Sequence, residues 1–199
     1  MSKVILGTIH PGRVSTVYMQ SVLRTLSNTE HAIAVMMKGS GPLIAHARNE
    51  VVANFLASDA DYLWFVDSDI SFPPGTLERL KHAPGDIVSA YYRGRDEDGK
   101  TFPVALRHNQ KDGWAKHSHK TLGKGIPVVD AVGMGCTLIN RSVLESLGVG
   151  ALWPFAEVID PCGHAMGEDT SFCDRARDHG FEVRFDTTTR VRHLKDSLI

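Results

Sequence analysis

The stretch Tyr62-Leu63-Trp64-Phe65-Val66-Asp67-Ser68-Asp69 joins five large apolar residues to two aspartates that are one residue apart. A continuous apolar run of this length is typical of a β-strand that is buried on both faces, as in a parallel sheet covered by helices. Ligands of open α/β sheets bind outside the carboxyl ends of the strands. The sequence therefore predicts two carboxylates at the ligand-binding edge of a sheet.

The segments on either side of this run predict alternating strands and helices. Because the order β-α-β-α-β-α-β is typical of a mainly parallel sheet with helices on both faces, the fold class is predicted to be α/β and Rossmann-like. The predicted strands are 3–9, 32–37, 62–66, 87–91, 128–132, 135–139, 182–185 and 190–193. The predicted helices are 14–26, 43–56, a short one opened by Pro73-Pro74, 141–147 and 168–179, with an irregular β-region at 93–124 and a loop at 150–167.

Bulk composition is that of an ordinary soluble domain. The chain has 199 residues, 42% of them hydrophobic and 23% charged, with a net charge of −1. This length favours a single domain, and the near-neutral charge argues against a global attraction to nucleic acid or to anionic membranes. The three cysteines form no close pair, no apolar run reaches the roughly 18 residues of a membrane span, and the first residues do not look like a cleaved leader. We expect a cytoplasmic protein without a transmembrane segment.

Asp67 and Asp69 are candidate ligands of a divalent cation. Carboxylate oxygens suit Mg²⁺ or Mn²⁺, which proteins commonly share with substrate phosphates. His193 could complete a Mn²⁺ site as a neutral imidazole. The alternative for the aspartates is a solvated turn after a strand, and a lone histidine is more often structural or exposed.

Two other groups of residues suggest chemistry. Glu168 and Asp169 begin a predicted helix, where acidic residues either stabilise the helix dipole or act as a general base. Arg48, in the sequence Ala47-Arg48-Asn49, is either a surface residue or a bidentate phosphate ligand.

In this order, these motifs resemble the GT-A class of nucleotide-sugar-dependent glycosyltransferases, most closely the compact bacterial and phage members near family 2. The resemblance spans nearly the whole chain, and the order of the motifs is more specific than any one of them. The matching segments are 8–11, 44–49, 62–74, 132–136, 167–169 and His193.

The resemblance implies a metal-dependent transfer of a sugar from a UDP- or GDP-type donor to a hydroxyl group. It implies metal ligands at Asp67, Asp69 and His193 and a base at Asp169 or Glu168. It also implies a division into a nucleotide-sugar-binding half (1–92), a basic insertion (93–127) and an acceptor half (128–199). The donor-binding residues that it implies are Thr8, His10, Pro11, Arg48, Asn49, Asp67, Ser68, Gly133 and Gly135.

One departure leaves the stereochemistry open. Family 2 enzymes usually follow the acidic pair with a leucine-x-x-arginine pattern, whereas Glu168-Asp169 leads here to Ser171-Phe172-Cys173-Asp174-Arg175. A terminal histidine ligand also occurs in retaining relatives, in which a base role for Asp169 would not apply.

Three other readings stay open. Asp67 could be the nucleophile of a haloacid-dehalogenase-like phosphatase, with Asp69 as its acid/base. The chain could instead be a nucleotide-sugar-binding module without activity. Finally, one set of residues could be drawn as a zinc site, although their spacing matches no tight knuckle. That set is Cys162, His164, Cys173 and His179.

Among the residues themselves, only the distribution of charge bears on the identity of the acceptor. Segment 93–124 has eight Lys and Arg against four acids, a local charge of +4, and a second basic cluster lies at Arg184, Arg190, Arg192 and Lys195. These cations are either a solvated surface or a track for a polyanion beside the active site. The resemblance implies modified DNA as one candidate acceptor, as in some compact phage enzymes that the chain resembles; the other candidate is a saccharide or small metabolite.

Overall fold

The computed structural model describes residues 1–109, 113–148, 153–160, 163 and 165–194. Its helices are α1 (Thr16–Leu26), α2 (Ile44–Leu56), α3 (Thr76–His82), α4 (His119–Leu122), α5 (Arg141–Leu147) and α6 (Glu168–Asp178). The strands in the first half are β1 (Lys3–His10), β2 (Ala32–Gly39), β3 (Tyr62–Val66), β4 (Ile70–Ser71), β5 (Ile87–Tyr91), β6 (Arg93–Arg95), β7 (Thr101–Pro103) and β8 (Ala105–Asn109). The remaining strands are β9 (Gly113–Lys116), β10 (Ala131–Val132), β11 (Cys136–Asn140), β12 (Val158–Ile159), β13 (Ala165–Met166), β14 (Val183–Arg190) and β15 (Arg192–His193).

The central sheet has six strands in the order β14-β5-β11-β3-β1-β2. The pairs β1–β2, β1–β3 and β14–β5 are parallel, whereas β11 runs antiparallel to both of its neighbours. This confirms an α/β fold with a mostly parallel sheet. The antiparallel β11 was not predicted, and its reversal brings residues before Cys136 to the same edge as the carboxyl end of β3.

Helices cover both faces of the sheet, as the sequence predicted. Along β1, Ile5 packs into a cluster with α2, α5 and α6, while Val4 and Leu6 pack into a second cluster with α1 and α3. Successive strand residues point to opposite faces, so a strand buried on both faces must be apolar throughout. The run from Leu63 to Val66 meets this requirement, since each of its side chains is fully buried.

Two helix boundaries differ from the prediction because of local capping. Helix α1 begins at Thr16 rather than at residue 14, since the Oγ of Ser15 accepts the backbone N–H of Tyr18 at 3.1 Å and caps the helix. Helix α3 begins after the proline pair rather than with it. Gly75 precedes it in the left-handed conformation, with φ of 78°, which favours glycine.

The second half contains more β-structure than predicted. The hairpins β6–β7 and β8–β9 confirm the β-rich region, and β10 extends the second of them. The strand predicted at 128–132 is limited to β10, with Val128 in an isolated bridge to Arg184. The loop predicted at 150–167 contains the hairpin β12–β13, whose two-residue strands are too short to show an apolar period.

Candidate functional site

The Asp67-Ser68-Asp69 segment lies at the carboxyl edge of the central sheet. Val66, the last residue of β3, pairs with Cys136 at the start of β11. The backbone N–H of Asp67 donates to the carbonyl oxygen of Gly135 at 3.0 Å. The acidic segment and segment 133–135 therefore lie side by side at the edge where a ligand of an α/β sheet is expected.

A buried guanidinium stands among three carboxylates beside this edge. Arg48 Nη2 lies 3.4 Å from Asp67 Oδ1, and Arg48 Nε lies 3.5 Å from both Glu168 Oε1 and Asp169 Oδ1. Only 4% of the Arg48 side chain is exposed. We call these four residues the Arg48 cluster; it joins the second turn of α2, the tip of β3 and the start of α6.

Burial and the neighbouring charges shift the protonation equilibria of this cluster. Burial lowers the pKa of Arg48, but the charges of Asp67, Asp169 and Glu168 outweigh it and hold that pKa above its ordinary value. Burial raises the pKa of Asp169 to about 7, against the lowering effect of Arg48. A carboxyl group that titrates near neutral pH can exchange a proton with a substrate.

Two polar atoms of the Arg48 cluster lack a hydrogen-bond partner among the described residues. They are Arg48 Nη1 and Asp169 Oδ1, and both are buried. The other oxygen of Asp169 is fixed, because Oδ2 accepts the backbone N–H of Met134 at 3.0 Å. Native proteins pair most of their buried polar groups, so these two unpaired atoms are consistent with a ligand that completes them.

Asp69 lies against His193, although 124 positions separate them in the sequence. His193 Nε2 is 3.1 Å from Asp69 Oδ2. The contact depends on pairing between β4 and β15, in which His193 stands opposite Ile70. The backbone N–H of Leu194 also donates to the Asp69 carbonyl oxygen at 2.9 Å. The structure thus brings together Asp69 and His193, two residues distant in the sequence that the sequence analysis assigned to one metal site.

The predicted metal ligands have the chemistry that Mg²⁺ or Mn²⁺ requires. The side chains of Asp67 and Asp69 are 31% and 33% exposed, so a cation at this edge could reach both. His193 adds an imidazole nitrogen, which suits Mn²⁺ better than Mg²⁺. Within the described residues, no three His, Cys, Asp or Glu side chains already stand in an arrangement that could hold a metal. The residues fit a cation that also takes ligands from a substrate.

Tyr92 is a site residue that the sequence did not reveal. Its hydroxyl oxygen accepts the backbone N–H of Gly135 at 3.0 Å. A Cβ at Gly133 would lie 2.4 Å from that oxygen, and one at Gly135 would lie 2.8 Å from the ring. Burial, together with the charges of Asp169 and Asp67, raises the pKa of Tyr92 well above its ordinary value. The only sequence signal was its place at the end of the β5 run.

The first-strand residues that were predicted to bind the donor have different surroundings. Thr8 is fully buried, and its hydroxyl pairs with that of Tyr18. His10 is partly exposed and its Nδ1 accepts the backbone N–H of Gly12 at 3.1 Å, while Pro11 is exposed. His10 and Pro11 can therefore reach a ligand, whereas Thr8 supports the strand from within.

Asn49 and Ser68 are held by the fold itself. Asn49 Nδ2 donates to the carbonyl oxygen of Phe155 at 2.7 Å, and its Oδ1 accepts the backbone N–H of the same residue at 2.9 Å. Ser68 is buried, and its carbonyl oxygen accepts the backbone N–H of Ser15 at 3.0 Å. These two hydrogen bonds hold the backbone of Phe155, and the Arg48 guanidinium carbon lies 5.9 Å from the centre of the Phe155 ring. Direct donor contacts from Asn49 and Ser68 stay predictions.

Cys173 packs in the core. It is fully buried in α6, its Sγ lies 3.7 Å from the carbonyl oxygen of Val132, and burial raises its pKa to about 12. Zinc binds the thiolate form, which this environment disfavours. Two other members of the drawn zinc set, Cys162 and His164, lie outside the described residues.

No helix in the part of the chain that the structure describes has both the length and the apolar character that a bilayer crossing requires.

Solved structures share this fold at low sequence identity. The crystal structure of A197 from STIV matches with a TM-score of 0.61 and 19% identity, over 96% of this chain and 85% of that chain. The structure of the inositol-1-phosphate CTP transferase from T. maritima matches with a TM-score of 0.51 and 10% identity, over 97% of this chain and 89% of that chain. No protein-family model and no curated protein sequence matches the chain. At these identities the likeness establishes the fold alone.

Proposed function

We propose that this chain is a metal-dependent glycosyltransferase of the GT-A type, which moves a sugar from a nucleoside-diphosphate donor to a hydroxyl group. The observation that carries the proposal is that two groups of residues rich in carboxylates meet at one edge of the sheet. One set is Asp67, Asp69 and His193, and the other is the Arg48 cluster, which shares Asp67 with it. The resemblance of the sequence motifs to that class supports the same function.

The donor would bind with its diphosphate at the tip of β3. Asp67 and Asp69 offer carboxylate oxygens there, and His193 offers a nitrogen atom held 3.1 Å from Asp69. A bound Mg²⁺ or Mn²⁺ would offset the negative charge that develops on the departing nucleoside diphosphate. Arg48 lies 3.4 Å from Asp67 on its buried side, and its Nη1 has no hydrogen-bond partner among the described residues.

Asp169 is our first candidate for the general base. In an inverting transfer, the acceptor oxygen forms a bond to the anomeric carbon while the bond from that carbon to the diphosphate oxygen breaks. The acceptor proton passes to Asp169 Oδ1, which has no hydrogen-bond partner among the described residues. A pKa of about 7 suits this exchange. Glu168, 3.5 Å from the same guanidinium, is the alternative base.

Nucleotidyl transfer is the second candidate. The T. maritima neighbour is a CTP transferase, and its fold covers 97% of this chain. The same acidic edge could hold the triphosphate of a nucleotide, in which case pyrophosphate rather than a nucleoside diphosphate would leave.

A product assay separates these candidates. The purified chain is first screened by thermal shift against UDP, GDP and CDP, with and without Mn²⁺, and then supplied with the matching nucleotide sugar or nucleoside triphosphate. We expect Mn²⁺-dependent release of a nucleoside diphosphate from the sugar donor. Release of pyrophosphate from the triphosphate would favour nucleotidyl transfer instead. Release of inorganic phosphate from a simple ester would favour the phosphatase reading.

Asp69→Asn and Asp59→Asn form a matched pair for this assay. Both replace one carboxylate by an amide, but Asp59 is exposed and pairs with Lys3 at the opposite edge of the sheet. The proposal requires Asp69→Asn to abolish the Mn²⁺ response and Asp59→Asn to keep it. Equal activity in both variants would contradict it.

A further inference from the structure

A cavity of about 990 Å³ lies beside His193, between α1, β4 and the β14–β15 segment. Arginines from four separate elements line it, and none of its described lining residues is an aspartate or a glutamate. We call it the arginine cleft. The four residues are Arg24 in α1, Arg93 in β6, Arg190 in β14 and Arg192 in β15.

The arginines of this cleft are exposed to solvent. Among the described residues, no acidic side chain forms an ion pair with Arg24, Arg190 or Arg192. Tyr91 organises two of the four: its hydroxyl accepts the Nε–H of Arg93 at 3.2 Å, and the Arg190 guanidinium lies 5.3 Å from the centre of its ring. Without an anion to join them, Arg24, Arg190 and Arg192 repel one another.

The positive lining continues past the cleft. A second cavity of about 380 Å³ shares Tyr91 and Arg190 with it and adds His119 and Lys124, and its described lining residues again include no carboxylate. A single phosphate would fill only part of this space. The chain as a whole carries a net charge of −1, so this concentration of cations does not follow from a generally basic composition.

We propose that the arginine cleft binds the phosphodiester backbone of a nucleic-acid strand, which presents the acceptor hydroxyl to the site beyond His193; the acceptor role rests on the proposed function. Arginine forms bidentate hydrogen bonds with phosphate oxygens, and a row of such contacts binds a polyanion rather than a neutral glycan. The aromatic residues of the cleft, Phe72 and Tyr91, are 5% and 7% exposed and offer no stacking surface for bases. Binding should therefore depend little on base sequence.

The test measures binding without donor or metal. A fluorescently labelled single strand of 12 nucleotides is titrated with the intact chain in EDTA, and anisotropy is followed at 50 and 200 mM salt. Phosphate contacts from Arg24, Arg190 and Arg192 predict a fall in affinity of about 18-fold between these salt concentrations. In Arg24→Gln/Arg192→Gln, with one of these contacts left, the fall should be only about 3-fold. A flat salt response in the unmodified chain would overturn the proposal.

Lys3→Gln/Lys81→Gln is the matched control, since it removes the same charge at the other edge of the sheet. Lys3 pairs with Asp59, and Lys81 lies 5.9 Å from the Tyr62 ring. Its salt dependence should equal that of the unmodified chain, and a loss equal to that of the cleft variant would overturn the proposal. So would displacement of the strand by inorganic pyrophosphate at equal phosphate concentration, since the cleft would then be a site for small anions.

The result of the strand-binding test can be separated from that of the sugar-transfer test. Strand binding through the cleft with no sugar transfer would refute the glycosyltransferase proposal and leave the cleft assignment in place. Conversely, Mn²⁺-dependent nucleotide binding without strand binding would refute the cleft assignment alone. The Arg24→Gln/Arg192→Gln variant should keep the nucleotide thermal shift, which also shows that it is folded.

Discussion

Arginine has opposite surroundings in the Arg48 cluster and in the arginine cleft. In the cluster, one guanidinium with a 4% exposed side chain contacts three carboxylates and lies 5.2 Å from the Phe65 ring centre. In the cleft, four exposed arginines line a cavity whose described lining includes no carboxylate. The two regions flank the same acidic edge of the sheet, the first next to Asp67 and the second next to His193.

This difference separates a structural charge from a charge available to a ligand. A buried cation is tolerated only when anions compensate it, so Arg48 holds its carboxylates in place and they hold it. An exposed cation needs no partner in the folded chain and contributes little to stability. We therefore expect substitutions in the cluster to affect folding and chemistry together, and substitutions in the cleft to affect binding alone.

The largest effect is expected for Arg48→Gln. Removal of this cation leaves three carboxylates close together without compensation, and breaking a buried ion pair in this way costs about 3–5 kcal/mol. Urea denaturation should show this loss in the free energy of unfolding. Arg192→Gln, in the cleft, should stay within about 0.5 kcal/mol of the unmodified chain. Similar losses in the two variants would remove the distinction between the regions.

The next effect concerns activity at the acidic edge. Asp69→Asn should lower the rate of Mn²⁺-dependent transfer by a factor on the order of 10²–10³, the size typical of removing one group that stabilises developing charge. Its stability should change little, because the Asp69 side chain is 33% exposed. Steady-state kinetics and thermal melts on the same preparation test both statements. A large drop in melting temperature with unchanged kinetics would assign Asp69 to the fold instead.

Asp169 should make stability depend on pH within the cluster. Its folded-state pKa is raised to about 7, so its contribution to stability is fully present below its unfolded-state pKa and is lost as pH rises through 7. Asp169→Asn stays neutral and keeps an acceptor for Met134, and should gain stability relative to the unmodified chain between pH 5 and pH 8. The gain is bounded at about 4 kcal/mol, and the 26% exposure of the side chain makes it smaller. Melting curves with no pH-dependent difference would count against the raised pKa.

The smallest effect is expected for Gly135→Ala, beside Asp67. A Cβ there would lie 2.8 Å from the Tyr92 ring, and overpacking of this kind typically costs about 1–3 kcal/mol. Gly167→Ala is the matched control, since a Cβ there meets nothing within 4 Å. Denaturation midpoints compare the two. Equal stability of the Gly135 and Gly167 variants would show that the Tyr92 ring can move away, and that its position does not fix the geometry of the site.

The sequence predicted the elements better than their arrangement. The apolar run before Asp67 and the pairing of Asp69 with a distant His193 followed from local pattern and motif order. The antiparallel position of β11, which brings Gly135 beside Asp67, depends on long-range pairing that no local period records. Arg93, Arg190 and Arg192 lie in the two basic segments that the sequence analysis singled out, but their meeting with Arg24 in one cleft depends on the folded chain. Tyr92 was missed because a buried tyrosine at a strand end resembles any core residue.

The most direct test of the account is a crystal structure of the chain soaked with Mn²⁺ and UDP or GDP, with anomalous data to locate the metal. The account predicts a manganese peak in contact with Asp67 or Asp69 and with the diphosphate, and His193 on the same side of the ion. A nucleotide bound away from this edge, or a metal that contacts none of these three residues, would contradict it.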